Sequence, residues 1–87
     1  MKYRKKPVIV EAEQWFPGKV VKGVTEQTWT PEGASESVSL GYGHVVTIHG
    51  QRTQVAFGDW VITEPDGMHH YPCKPDIFQT TYELVTE

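Results

Sequence analysis

The sequence predicts a mainly β protein: a small barrel or rolled antiparallel sheet of six to seven short strands with one short helix. Two observations lead there. Short β-branched and aromatic runs recur along the chain, among them Val8-Ile9-Val10, Val45-Val46-Thr47-Ile48 and Trp60-Val61-Ile62-Thr63, and such side chains suit a pleated, half-buried surface. Turn signals separate the runs at close intervals: Phe16-Pro17-Gly18, Gly50-Gln51, Gly58-Asp59 and Glu64-Pro65-Asp66-Gly67. Length sets the scale. A chain of 87 residues buries only roughly 60–65% of its unfolded surface, enough for one core and not two, so residues 1–87 are expected to form a single domain.

From Val8 to Trp15 a β-branched start passes into alternation and predicts a strand, which Pro17-Gly18 ends. Residues Lys19 to Val24 predict a short second strand on Val20, Val21 and Val24. Residues 25–43, rich in Thr, Ser, Glu and Gly, predict an irregular loop or lid with Trp29 as its large apolar anchor, and long irregular segments in small domains often carry function. Next comes a meander of four short strands: His44 to His49, Arg52 to Phe57 after a two-residue turn, Trp60 to Thr63, and Met68 to Cys73. Lys74 to Thr81 predicts one helical turn, since Pro75 suits a first helical position and Asp76 a first turn. Tyr82 to Val85 is expected to close as a strand.

Charge is distributed unevenly. Four of the eight basic residues, Lys2, Arg4, Lys5 and Lys6, lie at the start, which leaves four against eleven acidic groups elsewhere and a body charge of −7. An acidic body repels nucleic acid, whereas the basic arm can touch phosphate or an acidic partner. The same arm can also guard a sheet edge. Cys73 is the only cysteine, which fits a reducing compartment. No apolar run approaches the ~20 residues of a membrane helix, so no membrane partner is expected.

The two ends of the chain resemble a widespread group of small phage and prophage proteins. The resemblance rests on Lys2-Tyr3-Arg4-Lys5-Lys6-Pro7-Val8-Ile9-Val10-Glu11-Ala12 with Gln14-Trp15, and on Gly58-Asp59-Trp60-Val61-Ile62, Tyr71 to Phe78 and Thr81-Tyr82-Glu83. Phe57 stands where similar proteins often carry proline, and residues 17–43 lie outside the resemblance. It implies a phage setting, the cytoplasm of an infected bacterial host and an accessory or anti-defence role, and it supplies no catalytic residues.

Other constellations weigh against chemistry. On an extended strand His69 and Cys73 share a face but lie about 13 Å apart, too far for a nucleophile and its base. His44, His49, His69, His70 and Cys73 lack an established metal-ligand spacing, which makes surface or turn histidines and a buried structural cysteine the expected roles. No phosphate-binding glycine motif occurs. The two prolines around Cys73-Lys74 instead fix a corner that presents Lys74 and Asp76 in a set direction.

The sequence therefore points to a non-enzymatic binding protein without metal or cofactor, self-associating, whose partner is a host protein or a small anionic, nucleotide-like ligand. A cysteine/histidine-dependent enzyme and a minor virion component are the alternatives. Its candidate contact residues are Arg4, Lys5, Lys6, Trp15, Trp29, Trp60, Tyr71, Lys74 and Asp76. Sequestering a ligand requires the cations and tryptophans to converge on one cavity.

Overall fold

A computed structural model describes residues 1–4 and 6–85. It is mainly β: strands β1 (Glu11–Gln14), β2 (Thr25–Trp29), β3 (Val38–Val46), β4 (Arg52–Ala56), β5 (Trp60–Thr63) and β6 (His70–Cys73), then helix α1 (Pro75–Thr81). The strands form two three-stranded antiparallel sheets, ordered β1-β5-β6 and β2-β3-β4, and no pairing among the described residues closes them into a barrel. The first two strands of the expected meander do pair as the hairpin β3-β4. The chain then changes sheets at Phe57 to Asp59, and β5 runs between β1 and β6.

Pairing register assigns the faces of the β1-β5-β6 sheet. Gln14, Trp60 and Cys73 lie side by side on one face with Ala12, Ile62 and Tyr71; Glu13, Val61 and Pro72 share the other with Glu11, Thr63 and His70. The Val61 face meets the second sheet, where Val45 and Val55 are fully buried, and Trp15 and Val21 complete this core. Phe57 packs against Trp15 with ring centroids 4.6 Å apart. The Trp60 face is covered by α1.

Several elements depart from the sequence reading, each for an identifiable reason. The first strand is paired only from Glu11 to Gln14, because its partner β5 is four residues long; Val8, Ile9 and Val10 precede the pairing. Residues 19–24 form turns and not a strand: Lys19 N–H donates to the Phe16 carbonyl and Val24 N–H to that of Val21. Between them Gly23 takes φ +91° with its Cα against the His70 ring, where any Cβ would collide. Residues 25–43 are no irregular lid, since they hold β2 and the first half of β3, with the register shifting between Glu26 and Thr28. Thr47 to Gln51 make a longer connection than the two-residue turn, closed by Gly50 N–H to the Thr47 carbonyl. Tyr82 ends the helix by donating its N–H to the Phe78 carbonyl, and no strand follows in residues 82–85.

Candidate functional site

Over the outer face of the β1-β5-β6 sheet, helix α1 builds a column of aromatic rings. Trp60 and Phe78 stack with centroids 4.0 Å apart and planes 6° from parallel. Phe78 in turn stacks on Tyr82, 5.0 Å away. Phe78 and Tyr82 are four residues apart, the spacing that places two side chains on one helical face, and Trp60 projects to the same side from β5. Tyr82 is tied to β6 by a 3.0 Å hydrogen bond between its hydroxyl and that of Tyr71. Burial and this bond push the Tyr71 phenol well above its ordinary pKa, so the Tyr71 hydroxyl remains protonated.

Beside the column runs an open groove of about 360 Å³, lined by Gln14, Trp60, Pro75, Phe78, Gln79 and Tyr82. Its chemistry is uniform: three rings, a proline and two carboxamides. Gln14 is held in place because its Nε2 donates to the Gly58 carbonyl at 2.9 Å. Gly58, at φ +94°, closes the turn into β5 and donates its own N–H to the Trp15 carbonyl. Other residues there would be strained, since L side chains rarely adopt that angle.

The same turn carries Asp59, whose side chain is 5% exposed. Its carboxylate accepts the Ala56 N–H at 3.0 Å and both oxygens accept from Lys74 Nζ, at 3.0 and 3.1 Å. Lys74 is thus committed to neutralising a buried carboxylate and supplies no free cation to the groove. It also locks the start of α1 to the start of β5, which holds Phe78 over Trp60. Cys73, next to Lys74, has its thiol pKa pushed up by burial and then by the Asp59 and Asp76 carboxylates, which opposes the thiolate that nucleophilic chemistry needs.

The structure divides the predicted contact residues. Trp60, Tyr71 and Lys74 take part in building the groove, and Asp76 is exposed in the first turn of the helix beside it. Trp15 does not serve as a contact: it is 2% exposed in the core, its Nε1 donating to the Lys19 carbonyl. Trp29 lies at the end of β2, 57% exposed. Arg4 is exposed on the segment that precedes β1, as is Lys6; Lys5 lies outside the described residues. Among the described residues the cations and tryptophans therefore do not converge within one chain.

The histidines also separate. His69 pairs with Asp66 across a turn, and His44 meets Arg52. His70 is buried against Gly23 and not on the surface, with Nε2 lacking a hydrogen-bond partner. No group of three metal-ligating side chains forms among the described residues. Gln14, Phe78, Gln79 and Tyr82 were not singled out from sequence, although the i, i+4 aromatic pair on a proline-started helix was a usable signal. No protein-family model, curated protein or solved structure matches the chain. No helix among the described residues is long and apolar enough to cross a membrane.

Proposed function

We propose that the chain is a phage-encoded, non-enzymatic accessory protein that captures a small planar ligand in the groove beside Trp60, Phe78 and Tyr82 and so withholds it from the infected host. The carrying observation is the composition of that groove: a volume of about 360 Å³, within the range of small-molecule sites, walled by stacked rings and bearing carboxamides as its hydrogen-bonding groups. Stacked rings attract flat π-systems, and Gln14 and Gln79 can pair with the polar edge of a heterocycle, each carboxamide offering both donors and an acceptor. The phage setting is supported by the resemblance of the two chain ends. The raised pKa of the Cys73 thiol directs the reading towards binding. The site of action on this account is the host cytoplasm.

A second reading has its own observation. Trp29, Val38 and Leu40 are all at least 49% exposed on paired segments of β2 and β3, and a protruding two-stranded ribbon is stable only marginally on its own. That surface favours covering a host protein. Native mass spectrometry of the protein recovered from phage-infected cells separates the two. The groove reading predicts a bound mass of a few hundred daltons, on the order of a ligand that fills such a site, lost in Tyr82→Ala. A bound host polypeptide that Trp29→Ala releases, with no small molecule present, would replace it with the ribbon reading.

A further inference from the structure

Among the described residues, none that lines the groove is a lysine or arginine, and the body around it is acidic. The concentrated positive charge is on the arm that precedes β1, and the geometry of β1 indicates where a second copy would deliver it. Among the described residues β1 is an edge strand with β5 as its one neighbour. Trp15 N–H donates to the Asp59 carbonyl at 2.9 Å, in register with the β1-β5 pairs Glu11↔Thr63 and Glu13↔Val61. Odd-numbered residues of this strand therefore direct their backbone groups at β5. Even-numbered residues direct theirs at the open side.

That phase has a consequence for Pro7. Being odd, its missing N–H falls on the side facing away from the open edge, so an extended arm presents the donors of Lys6, Val8, Val10, Ala12 and Gln14 outward without interruption. Along the same segment the sequence runs from basic (Lys2, Arg4, Lys6) through apolar (Val8, Ile9, Val10) to acidic (Glu11, Glu13). A segment with this order is self-complementary when turned end for end. Its apolar middle is uncovered in one chain, Val8 being 60% and Ile9 81% exposed.

We propose that two copies pair antiparallel through the edge of β1 about a two-fold axis at Ile9, which places the partner subunit's Arg4 beside Gln14 and completes the groove as a site for a planar anion. With Ile9 on the axis, Val8 pairs with Val10 of the partner subunit, Lys6 with Ala12 and Arg4 with Gln14. The arrangement closes as an isologous dimer, one patch meeting itself, and joins the β1-β5-β6 sheets of the two copies into one of six strands. Each basic arm lies along the partner's acidic strand end, and the valines and isoleucines cover one another. Because Gln14 stands next to Trp60 on the outer face, its new neighbour Arg4 reaches the rim of the aromatic groove. The ligand part of this proposal rests on the groove being the binding site; the dimer does not.

Two measurements test the two parts separately. In a Cys73→Ser background, Ile9→Cys should form a disulfide-linked dimer rapidly on mild oxidation, since residues across the axis in a non-hydrogen-bonded pair are within disulfide reach. Val8→Cys should link more slowly. Sedimentation at micromolar concentration should show a dimer that rising salt weakens and that Val8→Pro dissociates, proline there removing a donor aimed at the partner. A monomer, or a dimer indifferent to Val8→Pro, overturns the pairing. With adenosine monophosphate as probe, Arg4→Gln should weaken binding about tenfold, the loss of one charge-assisted contact, and leave uncharged adenosine unaffected. Equal losses for both probes, or none, overturn the role of Arg4. Failure of both probes to bind the unaltered protein would refute the groove reading itself while the Ile9→Cys result still reports on the dimer.

Discussion

At the scale of single residues, the buried charges carry the sharpest consequences. Asp59 is compensated by Lys74 and one backbone N–H, so Lys74→Met should cost about 2 kcal/mol by leaving a carboxylate buried beside too few donors. Replacing both residues, Asp59→Asn with Lys74→Met, should recover part of that loss, which chemical denaturation of the four proteins measures. His70 behaves oppositely. Burial first, and the Lys22 ammonium second, hold its pKa below the ordinary 6.5, so the unfolded chain takes up a proton that the fold rejects. Stability should therefore be fully present above pH 6.5 and decline as the pH falls below it, and His70→Gln should flatten that slope in thermal melts. Asp66 acts in a lower window: the His69 side chain, then the backbone N–H groups of His69 and Met68, keep its carboxyl at about 2. Its contribution is present above about pH 4, the unfolded value, and vanishes as the pH falls towards 2.

At the scale of elements, the aromatic column is what fixes α1 to the sheet. The helix is seven residues long and has no side-chain cap, too short to persist without tertiary contacts. Phe78→Ala should cost about 2 kcal/mol and uncover Trp60, visible as a red shift of tryptophan emission. Gly23→Ala should destabilise by at least about 1 kcal/mol, because it combines a positive φ with a collision against His70. How much of this was legible follows from burial. The runs at 44–46, 52–56, 60–63 and 70–73 and the helix at Pro75 are legible because β-branched and aromatic residues between turn signals mark the strands and proline marks a first helical position. β2 and the start of β3 were not, since both faces of that ribbon are largely exposed and no apolar periodicity marks it. Nor could periodicity show that β5 leaves the β3-β4 sheet, a decision made by the Gly58 turn and its bonds to β1. Tyr82 follows the helical pattern and reads as the start of a strand, whereas its ring stacks on Phe78 at the helix end.

At the scale of the whole molecule, the chain is longer than a compact body of its size. Its radius of gyration is 15.6 Å and its extents 61 × 28 × 22 Å, against about 12 Å expected for this length. The N-terminal arm and the β2-β3 ribbon extend from the body, one basic and one acidic, and both leave apolar side chains uncovered. Such a shape is suited to association, and the groove then becomes the place where the body, the arm of a second copy and a ligand can meet. The most direct test of that account is a two-dimensional amide spectrum of the labelled protein, taken before and after adding the small-molecule fraction released from protein purified out of infected cells. The account predicts shifts concentrated on the Trp60 indole N–H, the Gln14 and Gln79 side-chain amides and the backbone of α1. Shifts confined to Trp29 and the β2-β3 ribbon, with the groove signals unmoved, would contradict it.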